Sequence, residues 1–186
     1  MRKGQWAADL LCAVGLDVNQ FVEIVKPGSV IGHLTSDAAR ATGLLSGMPV
    51  IAGAGDGQCA VLGANITSPG RAHLNLGTAM VSGAYSDHYV ANRAFRTQCL
   101  PLDGAFLLEE ALNAGTFLVS WFVENFGPDV SGLGLSLSPE EVLEAAASKL
   151  PPGAHGLLLG PYWKGVLSPY WDSQARGITI GWTGAH

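Results

Sequence analysis

The sequence predicts an α/β fold, and three observations carry that prediction. Helix-like and strand-like periodicities mix along all 186 residues instead of separating into blocks. Many of the 25 glycines fall between apolar segments, where the chain has to turn. Hydrophobic residues make up 48% of the chain, which supplies ample core for one ordinary domain or two small lobes. Charged residues make up only 13%, about half the ~25% of an ordinary soluble domain. A chain so poor in charge is expected to hide surface, within something larger or against a partner such as a second copy in a homo-oligomer.

Residues 5–16 place Trp6, Leu10, Leu11 and Val14 near helical spacing. The basic start and apolar continuation resemble a secretory leader, but Asp9 and Asp17 bracket a short run and no clean small-residue cleavage site follows. An amphipathic helix is the expectation. Val22 to Val30 alternates loosely around Pro27-Gly28 and reads as strand and turn. Thr35-Ser36-Asp37, then AARAT, then Gly43 read as a cap, a short helix and a glycine stop. After the turn at Gly47-Met48-Pro49, Val50 to Ala54 is expected to be a buried strand. Gln58 to Ala64 is then a helix starting straight after a turn at Asp56.

A composition shift at Thr67-Ser68-Pro69-Gly70 marks a candidate lobe boundary. Arg71 to Leu76 alternates as a strand, turns at Gly77-Thr78 and returns as Ala79 to Ala84. Phe106 to Leu112 is a further strand. Asn113-Ala114-Gly115-Thr116 opens the apolar helix FLVSWFVENF, which Gly127-Pro128 closes. SGLGLSL, residues 131–137, is expected to be a loop. Ser138, Pro139 and Glu141 form a capping-box helix start, and the helix is expected to reach Lys149 before Pro151-Pro152. Gly156 to Leu159 and Gly177 to Trp182 are the last strands, either side of PYWKGVLSPYWD.

The charge pattern excludes some functions. A net charge of −5, with ten scattered Lys and Arg, does not suit a phosphate backbone, so no nucleic-acid partner is expected. No apolar run approaches the roughly 18 residues of a membrane span. Three widely spaced cysteines suit a reducing cytoplasm, and five dispersed histidines show no ligand spacing, so no protein-held metal is expected.

Three glycine turns carry candidate chemistry. In GAGDGQ, the lone carboxylate of Asp56 lies among glycines that let a ligand approach the backbone. It is a candidate general base, with helix capping as the alternative from the local pattern. In NLGTAMVSG, the backbone N–H groups of a Gly77-Thr78 turn and the threonine hydroxyl suit phosphate oxygens, and an ordinary hairpin is the alternative. At Gly115 a helix start presents N–H groups and a partial positive charge to an anion, with simple capping as the alternative. No Walker-type loop, no GxGxxG after a strand and no Gly-x-Ser-x-Gly elbow is present, which argues against a hydrolase of that last type.

Taken in order, these features resemble the FGGY carbohydrate kinases. The stretch from Gly28 to Ala79 is similar to that family's hinge region, and PYWDSQARGITIGW is similar to a later part of it. The resemblance covers nearly the whole chain. It implies part of an actin-like ATPase, ribonuclease H-like fold, with residues 1–68 ending a first lobe and residues 69–186 beginning a second. It implies a kinase that uses ATP with nucleotide-bound Mg²⁺ to phosphorylate a sugar, a pentulose such as xylulose. Asp56 falls at the family's catalytic base, and Gln58 near the sugar. Gly77 and Thr78 fall at the second phosphate-binding hairpin, and Gly115 at a helix start near the nucleotide phosphates. Phosphoryl transfer through a loose transition state asks for positioning more than for a strong base. Gly165-Val166-Leu167-Ser168-Pro169 departs from the family's frequent Gly-Glu-Arg before Ser/Thr-Pro, and Ala79 follows Thr78 where Ser is frequent.

The resemblance also implies parts that these residues lack: an early Asp-x-Gly-Thr phosphate loop, the early sugar-pocket residues and a late glycine-rich adenosine loop. The expectation is an internal fragment of a kinase. The second reading is a non-catalytic actin-like module that binds nucleotide or sugar. The purified 186-residue chain, given ATP·Mg²⁺ and a pentulose, is expected to release no ADP above background in a coupled assay. A measurable rate that Asp56→Ala abolishes would overturn that expectation.

Overall fold

The computed structural model describes residues 4–129, 137–184 and 186. Among the described residues five α-helices and eight strands follow one another in mixed order, as the sequence predicts. A short helix α1 (Ala8–Ala13) precedes a single 3₁₀ turn over Val18–Gln20, where Asp17 and Gln20 form a capping box. Strand β1 (Val30–His33) pairs antiparallel with β2 (Pro49–Ile51), with Val30 opposite Ile51 and His33 opposite Pro49. Between them lies α2 (Ser36–Thr42), capped by the Thr35 hydroxyl on the Ala38 amide and stopped by Gly43 at φ 73°.

Two strand expectations change here. Residues 22–29 form no strand, because Lys26–Ser29 close a turn in which Gly28 takes φ 83° and both the amide and hydroxyl of Ser29 donate to the Lys26 carbonyl. The strand begins one residue later, at Val30. β2 takes only the first two residues of the strand expected over Val50 to Ala54, and it is not buried: Val50 is 39% and Ile51 49% exposed. Its ribbon has two strands only, and no third strand among the described residues joins it.

Helix α3 (Asp56–Gly63) follows, then a four-stranded sheet in the order β3, β4, β6, β5. Its strands are β3 (Ala72–Leu76), β4 (Met80–Ser86), β5 (Arg96–Cys99) and β6 (Phe106–Leu112). β5, the segment Arg-Thr-Gln-Cys, has no apolar alternation and is not foreseen from the sequence. Polar contacts place it instead: Arg96 pairs with the buried Glu109 of β6, and the buried Thr97 hydroxyl donates to the Val90 carbonyl. Helix α4 (Thr116–Phe126) and helix α5 (Pro139–Ala147) come next, then β7 (Leu158–Gly160) and β8 (Ile178–Ile180), antiparallel partners. In α5 the Ser138 oxygen accepts from the Glu141 amide while the Glu141 carboxylate accepts from the Ser138 amide. The helix ends at Ala147 rather than Lys149, with turns through Leu150. Most of the expected loop over 131–137 lies outside the described residues.

The chain divides into two compact units. The first comprises Met1–His73, Ala84–Val90 and Thr97–Leu108. Its core joins Val61 of α3 and Ile66 to Leu100, Ala105 and Leu107, with Tyr85 and Leu102 packed against them. The second comprises Leu74–Gly83, Ala91–Arg96 and Glu109–His186. There Trp121 of α4 meets Trp163 edge-on with ring centroids 5.1 Å apart, and the Lys164 ammonium sits 4.2 Å from the Phe117 ring centroid. Gly177 makes room for Trp163, since a Cβ there would lie 2.0 Å from the indole.

Leu107 is 1% exposed, whereas Leu158 of β7 is 60% exposed. Leu107→Ala is expected to cost about 3 kcal/mol of unfolding free energy, read as a lowered urea midpoint at unchanged slope. Leu158→Ala is expected to stay within about 0.5 kcal/mol. Equal costs at the two sites would contradict this placement of the core.

Candidate functional site

Asp56 is the first residue of α3, and Gly55, in extended conformation, holds the N-cap position without any side-chain cap. The capping alternative therefore does not describe this helix: the carboxylate stands one position inside the helix, not ahead of it. Its Oδ1 accepts the Gly57 amide at 2.7 Å, and the side chain is exposed. A negative charge there is favoured by the partial positive charge of the helix start.

The glycines around Asp56 divide into two kinds. A Cβ on Gly55 would meet the Gln58 Oε1 at 2.3 Å, so that glycine accommodates a neighbour. At Gly53 and Gly57 a Cβ would find nothing within 4 Å, and neither residue takes a positive φ. Neither packing nor backbone conformation requires glycine at those two positions. Both leave open space in the turn that carries an exposed carboxylate.

Gln58 lies two residues beyond Asp56, half-buried, and its Nε2 donates to the Gln98 Oε1 on β5. Val61, on the same helix, is 2% exposed and anchors it in the core of the first unit. Gln98 is absent from the residues that sequence reasoning selects, and its segment carries no motif that marks it.

The second unit holds the other three residues together. The Gly115 amide donates to the Thr78 carbonyl and the Thr116 amide to the Gly77 carbonyl, each at 2.9 Å. The Gly77 amide closes the hairpin turn on the Ala79 carbonyl at 3.1 Å. A Cβ on Gly115 would stand 2.4 Å from the Gly77 oxygen and 2.9 Å from the Ala79 carbonyl carbon. Glycine at 115 is therefore what lets α4 meet the hairpin. Simple capping fails here too: no side chain caps α4, and Asn113 instead reaches the Lys164 carbonyl at 3.5 Å. The amides of Gly115 and Thr116, expected to be free for an anion, are spent on the hairpin carbonyls.

A cavity of about 500 Å³ lies in this unit, lined by Leu74, Met80, Ser82, Glu110, Tyr162 and Tyr170 among others. Val166 and Ser168, from the segment where the sequence departs from the FGGY pattern, are buried in its wall. Among the described residues no group of three or more His, Cys, Asp or Glu gathers to hold a metal. A 2.6 Å hydrogen bond with His88 holds the Asp87 carboxyl below its ordinary range, and this pair belongs to neither cluster.

Gly115→Ala is expected to destabilise the second unit by about 2 kcal/mol, because the new methyl must displace backbone rather than a flexible side chain. Amide exchange at 115 and 116 is expected to quicken. Unchanged thermal stability together with unchanged exchange would refute the close approach.

Comparison with known proteins gives concordant matches. Residues 1–63 match the N-terminal domain of the FGGY family of carbohydrate kinases. The xylulose kinase of Bacillus subtilis (strain 168) is 30% identical over 187 residues, which cover 98% of this chain and 35% of that protein. The gluconokinase of the same organism is 26% identical over 184 residues, 97% of this chain and 36% of that protein. In structure, the chain superposes on xylulose kinase from Rhodospirillum rubrum with a TM-score of 0.82 and 28% identity, over 99% of this chain and 36% of the other. The chain thus spans about a third of the length of the curated relatives it matches.

Proposed function

We infer that the chain is of the FGGY carbohydrate-kinase family over the third of the kinase length that it spans, and we propose that it serves ATP-dependent phosphorylation of a sugar hydroxyl. Its fold is part of the actin-like, ribonuclease H-like fold of those kinases. The observation that carries the functional reading is the exposed Asp56 carboxylate between two glycines, Gly53 and Gly57, that the fold does not need.

In this reading Asp56 accepts the proton of the sugar hydroxyl as that oxygen bonds to the γ-phosphorus. The bond between the γ-phosphorus and the bridging oxygen breaks, ADP leaves with the bond's electron pair, and the proton rests on Asp56. Gln58 faces the sugar. Gly77 and Thr78 face the nucleotide phosphates, and Gly115 serves them by holding α4 against the turn from behind. Mg²⁺ enters with the nucleotide and screens phosphate charge; no carboxylate cluster among the described residues is offered to it. We assign residues 1–68 to the end of the first lobe and 69–186 to the start of the second, a division supported by the N-terminal-domain match to residues 1–63. A pentulose such as xylulose is the proposed sugar, supported by the xylulose kinases among the relatives. Cys12, Cys59 and Cys99, all free and exposed, accord with the proposed cytoplasmic setting.

The test is a chimera in which these 186 residues replace the aligned segment of the Bacillus subtilis xylulose kinase. It is expected to phosphorylate D-xylulose, and Asp56→Asn is expected to lower kcat about 10³-fold with little change in KM. An Asp56→Asn chimera that keeps its rate would remove Asp56 as the base. Gly57→Ala supplies a second check. It is expected to stabilise the 186-residue chain by about 0.5–1 kcal/mol, since the methyl has room within a helix, while lowering the chimera's kcat/KM by crowding the ligand's approach. Stabilisation with unaltered kcat/KM would remove the proposed reason for that glycine.

A further inference from the structure

Gln98 has no part in the chemistry just proposed, yet it grips the residue two positions from the proposed base. Its Oε1 accepts from the Gln58 Nε2 across forty positions of sequence. Both side chains are half-buried, so the contact is partly shielded from competing water.

Each end of this contact is anchored. On the Gln58 side, Val61 lies one helical turn along α3 and is buried in the core. On the Gln98 side, the flanking Thr97 is buried with its hydroxyl on the Val90 carbonyl, and Leu100, two residues further, belongs to the same core as Val61. A free glutamine side chain carries large rotamer freedom that an amide–amide pair held at both ends removes. The pairing also fixes which atom is left over. With Nε2 turned to Gln98, the Gln58 carbonyl oxygen lies over Gly55, at the start of the helix that begins with Asp56.

We propose that Gln98 is a positioning residue that fixes the Gln58 carboxamide with its oxygen over Gly55, so that the start of α3 presents hydrogen-bond acceptors. The Asp56 carboxylate accepts only, and the oriented Gln58 oxygen is a second acceptor at the same helix start. Such a surface takes neutral hydroxyl donors and disfavours a ligand carboxylate. A polyhydroxylated substrate is therefore bound here through its hydroxyl end, and any anionic end lies elsewhere. This inference rests on the reading of Asp56 and Gln58 as sugar-facing.

The experiment uses the ¹⁵N-labelled 186-residue chain, as wild type, Gln98→Leu and Gln98→Glu, with backbone amide spectra to show that each stays folded. In the wild type the Gln58 side-chain amide is expected to exchange at least tenfold more slowly than that of the exposed Gln5. Gln98→Leu is expected to abolish the difference. Gln98→Glu, whose carboxylate accepts the same proton, is expected to keep it. D-xylulose titrated into the chimera with Gln, Leu or Glu at position 98 is expected to give a Kd about tenfold higher for Gln98→Leu and within twofold of wild type for Gln98→Glu. A Gln58 amide indifferent to Gln98→Leu overturns the proposal, as does a Kd raised equally in both variants. If the exchange pattern holds but D-xylulose bound to the chimera moves neither Gln58 nor Asp56 resonances, the sugar-facing reading fails and takes the acceptor surface with it, whereas an exchange pattern that ignores Gln98→Leu sinks the positioning role alone.

Discussion

The position of Asp56 depends on the burial of Val61. Helix α3 has one buried side chain, and it is this valine, locked against Ile66, Leu100, Ala105 and Leu107. The rest of the helix meets solvent or is half-buried. An eight-residue helix has little stability of its own, so tertiary packing of a single apolar position decides whether it exists and where it points. Because Asp56 opens that helix, hydrophobic burial five residues away becomes the means by which a carboxylate is kept both exposed and fixed. The second unit solves a similar problem without a side chain: at Gly115 the absence of a Cβ lets two backbone hydrogen bonds tie α4 to the hairpin turn.

Much of this is legible in the residues because it is local. Thr35 and Gly43 bound α2, and Ser138 with Glu141 opens α5, since capping depends on side chains within three or four positions. The strands β3, β4 and β6 are visible through their alternation. β5 is not, because Arg-Thr-Gln-Cys is placed by partners on other segments, Glu109 and Val90, which no window over the strand contains. The exposure of β2 is illegible for a related reason: an apolar run tells what a strand prefers, not whether a second layer covers it. Helix α3 starts two residues ahead of its expected start because Gly55, which offers no side chain to read, holds the cap.

The candidate site shows the same division. Asp56, Gln58, Gly77, Thr78 and Gly115 are marked by glycine turns, and the turns exist. What the sequence does not convey is how each glycine is used. Gly115 serves a close backbone approach and Gly55 accommodates a side chain, whereas Gly53 and Gly57 serve neither. Only the three-dimensional arrangement separates a glycine required by its neighbours from one that leaves room. That separation shifts the weight of the phosphate reading from the α4 amides, which are occupied, towards the hairpin turn itself.

The ribbon of β7 and β8 has a practical consequence. Leu158, Leu159, Ile178 and Ile180 leave it apolar and exposed, and no third strand among the described residues joins its pair. An open apolar edge is a template for another chain, and this ribbon offers one as the ribbon of β1 and β2 does. At high protein concentration the ribbon favours intermolecular strand pairing, and a lysine on its outer edge is the substitution most suited to keeping the chain dispersed without touching either core.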